Sequence, residues 1–155
     1  SFPTRRSSDL ISKKIWLRAI RPFSFTGSVI PVTIGAILAI KQNNFQFGYF
    51  ILSIIAILLL HTAINLLSDH DDYENKVDTK YSYGSSGVIL DNLLSSKQIL
   101  QSGMLCLILG SLIGLFLSYE KGIFLLILGL IGALGGYSYK GKPLMLKYKG
   151  TNYKA

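Results

Sequence analysis

Four long apolar runs separated by polar connectors dominate the chain. They cover residues 22–40, 45–67, 103–119 and 122–139. Runs of 17 to 23 residues suit a hydrocarbon layer of about 30 Å at roughly 1.5 Å of helix rise per residue. Each therefore predicts a membrane-crossing helix, and together they predict an all-α integral membrane bundle. Pro31 lies inside the first run, where a membrane helix accepts proline if neighbours satisfy the freed carbonyl. The last two runs are rich in glycine, and Gly110-x-x-x-Gly114 has the spacing of a close-packing motif.

The connectors differ in length and charge. From residue 11 on, Lys and Arg number four before the first run, then one, three and one in the connectors, and five in the tail. Basic residues accumulate on the cytoplasmic side of short loops. The alternation thus predicts that both ends and the second connector are cytoplasmic, in the cell (inner or plasma) membrane. That connector, 68–102, is the longest. Val88–Leu94 and Lys97–Leu100 are apolar enough for a short interfacial helix, with Ser95 or Ser96 as a cap for its continuation into the third run.

Composition removes several function classes. Half of the 155 residues are hydrophobic and 15% are charged, against about a quarter charged in soluble domains. The mean hydropathy is +0.42. A single cysteine, Cys106, excludes a disulfide framework, and two histidines with no Cys-x-x-Cys pair argue against structural zinc. The net charge of +8 sits in clusters between uncharged stretches, so no nucleic-acid partner is expected.

Residues 1–10, Ser-Phe-Pro-Thr-Arg-Arg-Ser-Ser-Asp-Leu, lack the apolar core of a signal peptide. The DNA string TCT TTC CCT ACA CGA CGC TCT TCC GAT CT encodes them and resembles the tail of a widely used sequencing adapter. They are read as a translated adapter, with 11–155 the natural part.

The candidate chemistry is acidic. Asp69, Asp71, Asp72, Glu74 and Asp78 begin at the end of the second run. If the helix continues, Asn65, Asp69 and Asp72 stand at i, i+4 and i+7 and share a face. His61 extends that stripe one turn deeper and is expected as a hydrogen-bonded interior histidine. Clustered carboxylates repel unless a cation neutralises them. Hard oxygens on a helix suit Mg²⁺, which keeps waters and bridges to phosphates. A Mg²⁺–diphosphate site at a membrane surface follows, set against the alternative of a solvated acidic loop. Arg21 and the basic tail, with Lys142 and Lys147, supply cations for a diphosphate, or act as lipid-facing topology anchors.

These residues resemble the UbiA superfamily of intramembrane prenyltransferases. Asn65-Leu-Leu-Ser-Asp69-His-Asp-Asp72-Tyr-Glu-Asn-Lys-Val-Asp78 is similar to its first aspartate-rich motif. Ala19-Ile-Arg21-Pro22, Ser86-Gly87-Val88-Ile89 and Tyr137-Ser-Tyr139-Lys-Gly-Lys142-Pro143-Leu-Met-Leu-Lys147 resemble three further stretches. The resemblance implies transfer of a polyprenyl group from an allylic diphosphate to an aromatic acceptor such as 1,4-dihydroxy-2-naphthoate, in menaquinone biosynthesis. It implies Asp69, Asp72 and Asp78 as catalytic Mg²⁺ ligands, with Asn65 in support. Arg21, Tyr139, Lys142 and Lys147 would line the diphosphate or acceptor pocket. The family has nine membrane helices and a second aspartate-rich motif, so four spans predict an N-terminal part that is inactive alone. Ser68 stands where the branch usually has asparagine, and Gly150-Thr-Asn-Tyr-Lys-Ala155 departs from the family pattern.

Three alternatives are weighed. A different aromatic acceptor is compatible with the same motifs. A CDP-alcohol phosphotransferase would need Asp-Gly-x-x-Ala-Arg, where this chain has Asp72-Tyr-Glu-Asn. A transporter or membrane-anchoring subunit would more often place charges within its spans.

Overall fold

The computed structural model of the protein describes the backbone of residues 5–76 and 85–140, and the side chains of 12–76 and 85–134. All regular structure among the described residues is helical: α1 (Arg5–Ile20), a 3-10 turn (Pro22–Phe25), α2 (Thr26–Lys41), α3 (Phe47–Glu74), α4 (Ser96–Lys121) and α5 (Ile123–Lys140). The chain forms two compact units, Ser1–Ile113 and Gly114–Ala155.

Three helical stretches, Ser12–Lys41, Phe47–Glu74 and Ser96–Lys121, are long and apolar enough to cross a membrane. The chain is a multi-pass membrane protein. The fourth expected span is helical, but its described apolar part, Ile123–Leu134, is shorter. It is separated from α4 by Gly122, whose φ of 106° is open to glycine and strained for residues with a Cβ. The Gly122 amide donates to the Ser118 carbonyl at 2.9 Å, and Leu117 is buried on the turn before.

In the first unit, packing concentrates at one end of the spans. Ala19, Leu66, Val88, Ile89 and Ile99 form a buried cluster, with Ile15, Trp16 and Leu94 packed against it. It joins α1, the end of α3, the loop after it and the start of α4. Along the spans the apolar side chains stay exposed, as at Ile30, Ile37, Ile55, Ile64, Ile108 and Leu112. Lipid tails solvate such side chains as well as protein does, so close helix contact depends on small residues. Gly103 and Gly110 supply it between α4 and α3. A Cβ at Gly103 would meet Leu67 at 3.0 Å, and one at Gly110 would meet Leu60 at 2.9 Å and the Ala56 carbonyl at 3.2 Å. Gly114 does not share this role, because a Cβ there meets nothing within 4 Å among the described residues. The close-packing pair is Gly103 and Gly110, two turns apart, rather than Gly110 and Gly114.

Residues 88–94 are hydrogen-bonded turns rather than the expected interfacial helix. The Val88 carbonyl accepts from the amides of Leu93 and Leu94 at 2.9 and 3.2 Å, and Asn92 takes a positive φ of 54° that ends any helical turn. The helix starts at Ser96. Ser95 and Gln98 form a reciprocal cap: the Gln98 amide donates to Ser95 Oγ at 3.2 Å, and the Ser95 amide donates to Gln98 Oε1 at 2.9 Å.

Candidate functional site

The site begins with the way α1 ends. The Arg21 amide donates to the Leu17 carbonyl at 3.1 Å, closing the last turn. Arg21 itself has φ 57° and ψ 63°, the left-handed conformation that terminates many helices and is usually held by glycine. Pro22 then prevents helix continuation. A residue before proline favours extended backbone, so an arginine in this conformation costs about 1–3 kcal/mol and persists only where its surroundings enforce it.

They enforce it through polar contacts. Ser24 donates both its amide and its hydroxyl to the Arg21 carbonyl, at 3.0 and 2.8 Å. Asn65 Nδ2 on α3 donates to the Ile20 carbonyl at 2.9 Å and to Ser24 Oγ at 3.1 Å. His61, one turn deeper, bonds Ser24 Oγ through Nε2 at 2.9 Å and Ser28 Oγ through Nδ1 at 2.6 Å. Phe25 meets its ring edge-on, with centroids 5.4 Å apart. His61 is thus an interior hydrogen-bonded histidine, as its place on the stripe predicts.

From this backbone the Arg21 guanidinium reaches Asp69 Oδ1 on α3, forming an ion pair that is 14% exposed on the arginine side and 3% on the aspartate side. Asp69 is the deepest carboxylate among the described residues, at 2% exposure. Ser86 completes its shell. The Ser86 hydroxyl donates to Asp69 Oδ2 and its amide to Oδ1, the latter at 3.4 Å. A buried charge needs this pairing, since an isolated one is expelled or neutralised.

Gly87 (φ 70°) lets the loop turn beside α1. A Cβ there would meet Arg18 Nη2 at 2.8 Å, and Arg18 pairs with Asp91 at 2.8 Å across the same turn.

Asp72 is also buried, at 9% exposure, one turn beyond Asp69. Asp71 is half-buried and Tyr73 and Glu74 are exposed. Of the other expected site residues, Asp78, Lys142 and Lys147 lie outside the described residues, and Tyr139 is placed on α5 by its backbone alone. Among the described residues no group of three or more His, Cys, Asp or Glu side chains is arranged to hold a metal ion. The donor chemistry nevertheless fits a hard divalent cation. A carboxylate offers roughly four acceptor positions, and Arg21 with the two Ser86 donors takes three at Asp69.

A relative from Bacillus subtilis, 1,4-dihydroxy-2-naphthoate octaprenyltransferase, is 28% identical over 94% of this chain and 46% of its own length. A second from Synechocystis, 2-carboxy-1,4-naphthoquinone phytyltransferase, is 29% identical over 97% of this chain and 48% of its own. A third from Danio rerio, UbiA prenyltransferase domain-containing protein 1, is 30% identical over 93% of this chain and 44% of its own. The chain is a relative of the UbiA-type prenyltransferases. The resemblance of the motifs to that family is borne out, and the chain spans about half the length of the curated UbiA-type relatives it matches. No family model and no solved structure matches it.

Three features of the site escape sequence reasoning. Ser86 is the partner of Asp69 from 17 residues away, and only a buried carboxylate in need of a donor signals it. Arg21 pairs with Asp69, a partner 48 residues away that no local pattern names. His70 Nδ1 bonds Ser96 Oγ at 2.7 Å, and that hydroxyl donates to Glu74 at 2.7 Å, tying the end of α3 to the start of α4.

Proposed function

We propose that the chain is part of a membrane prenyltransferase that moves a polyprenyl group from an allylic diphosphate to an aromatic acceptor. The observation that carries this reading is a pair of buried carboxylates at the end of an apolar helix, Asp69 paired with Arg21 and Asp72 one turn on, in a chain whose relatives are prenyltransferases. Acceptors of the 1,4-dihydroxy-2-naphthoate type are supported by the name of the Bacillus subtilis relative, and a place in menaquinone synthesis by the resemblance of the motifs.

Asp69, Asp72 and Asp78 would hold a divalent metal, Mg²⁺ by the hardness of the oxygen donors; when bound it supplies positive charge to the diphosphate as that group leaves. Arg21 adds a cation that is never deprotonated and whose planar fork suits phosphate oxygens. In the reaction the allylic carbon–oxygen bond breaks and the diphosphate leaves with the electron pair. An electron-rich ring carbon attacks the allylic cation; where that carbon bears a carboxylate, its bond to the carboxyl carbon breaks and carbon dioxide leaves, returning the electron pair to the ring, and otherwise the carbon loses its proton. The apolar faces of α2 and α3 keep water from that cation. The roles of Tyr139, Lys142 and Lys147 toward diphosphate or acceptor are carried by the resemblance alone, and the cytoplasmic placement of the acidic end by the Lys and Arg counts.

The test is Mg²⁺-dependent prenylation in membranes containing the full-length protein, with dihydroxynaphthoate and a panel of other aromatic acceptors. Transfer to dihydroxynaphthoate supports the whole reading. Transfer to another acceptor alone keeps the reaction class and replaces the acceptor. No transfer to any acceptor sinks it.

A further inference from the structure

Asn65 faces the junction of α1 and α2 with both hydrogens of its amide. An Asn side chain carries two N–H donors on one nitrogen, and here one goes to the Ile20 carbonyl and the other to Ser24 Oγ. Ser24 has one hydroxyl hydrogen, given to the Arg21 carbonyl, so it accepts from Asn65 and from His61 Nε2. His61 Nδ1 then accepts from Ser28. The hydrogen bonds thus run in one consistent direction with each of these donors used. Their common target is the backbone on either side of Arg21, the residue in the left-handed conformation.

We infer that Asn65 is a positioning residue for Arg21: by gripping the Ile20 carbonyl and Ser24, it fixes the strained backbone that carries the guanidinium to Asp69. Without the grip, the preference of a pre-proline residue for extended backbone draws Arg21 away and leaves Asp69 without its counter-charge. Through this clamp Asn65 acts on the acidic site by way of Arg21, with both hydrogens of its amide nitrogen engaged. The clamp stands on geometry; only its consequence for catalysis rests on the prenyltransferase reading.

The test uses the full-length protein in detergent, with Asn65→Ala and Asn65→Asp. The aspartate variant keeps the volume and removes the donors, and it serves if the alanine variant folds poorly. Hydrogen exchange across 21–26 reads the clamp directly. The Ser24 amide should exchange about tenfold faster in either variant, and unchanged exchange in a folded variant overturns the inference. KM for the polyprenyl diphosphate and Mn²⁺ affinity by electron paramagnetic resonance are then measured in Asn65→Ala, Arg21→Ala and the double variant. Asn65→Ala should raise KM by about tenfold alone and add nothing in the Arg21→Ala background, because coupled residues are non-additive. Multiplying losses in the double variant would mean that Asn65 touches ligand or metal itself, which overturns the inference. A wild-type protein with no transferase activity sinks the prenyltransferase reading, and exchange alone then decides the clamp.

Discussion

Ser86 donates both its hydroxyl and its amide to Asp69 across 17 residues of chain. The loop that follows the acidic helix thus folds back onto the first of its carboxylates. Val88 and Ile89, buried in the core with Ala19 and Leu66, fix the loop, and Ser86 is itself 8% exposed. Asp69 is held from both sides, by Arg21 on a strained turn and by Ser86 on an anchored one.

Removing the hydroxyl tests the loop side. Ser86→Ala should weaken the site by about 1.5–3 kcal/mol, the range for a hydrogen bond to a charged group. If the loss falls on the transition state, transfer slows on the order of 10- to 100-fold. Ser86→Thr keeps the hydroxyl and should retain most activity. The assay is prenyl transfer in membranes, normalised to protein level. An alanine variant as active as wild type would show that Asp69 does not need this donor.

The two neighbouring aspartates on α3 should differ. Asp72 is buried and Asp71 is half-buried, about 100° apart on the helix. If Asp72 supports the departing diphosphate, Asp72→Ala and Asp72→Asn should each cost roughly 3–4 kcal/mol in the transition state, on the order of 100- to 1000-fold in rate. Asp71→Ala should cost far less. Equal effects at the two positions would sink the helical-face reading, and near-wild-type activity in both would remove Asp72 from the site.

The membrane class, the helices and the acidic face were legible because each rests on a local pattern. Apolar length marks α2 and α3, and the i, i+4, i+7 spacing puts Asn65, Asp69 and Asp72 on one stripe. What the sequence did not disclose is pairing over distance. Nothing near Arg21 marks it as left-handed, since Pro22 announces only that α1 stops. Ser86 lay inside a recognised stretch, Ser-Gly-Val-Ile, but its hydroxyl acquires meaning only when the loop meets Asp69. The apolar content of 88–94 suggests a helix, but it does not reveal that Asn92 adopts a positive φ, which makes the segment a turn.

Orientation is open to a direct measurement. The Lys and Arg counts predict both ends and the acidic connector on the cytoplasmic side. Reporter fusions at Lys41 and Lys121 should read outside, and fusions at Lys80 and Lys149 inside. A reporter at Lys80 reading outside would invert the arrangement and put the acidic end away from cytoplasmic diphosphates.

Glycine substitutions on α4 separate packing from spacing. At Gly110 a methyl would stand 2.9 Å from Leu60 and 3.2 Å from the Ala56 carbonyl. The side chain can move, but the carbonyl belongs to a helix backbone and cannot without shifting α3. Gly110→Ala should therefore destabilise the protein by about 1–3 kcal/mol, the usual cost of overpacking. At Gly103 the nearest atoms are Leu67 Cδ2 and Cγ at 3.0 Å, which can rotate, and Leu66 Cβ at 3.2 Å, which is fixed to the α3 backbone, so Gly103→Ala should also destabilise, by no more than Gly110→Ala. Gly114, with nothing within 4 Å of its missing Cβ among the described residues, should tolerate alanine and gain about 0.4–1 kcal/mol from the stiffer unfolded chain. Thermal unfolding of the purified full-length variants in detergent ranks the three. A Gly114→Ala loss as large as that of Gly110→Ala would mean that Gly114 too packs closely, restoring the four-residue motif as the contact unit.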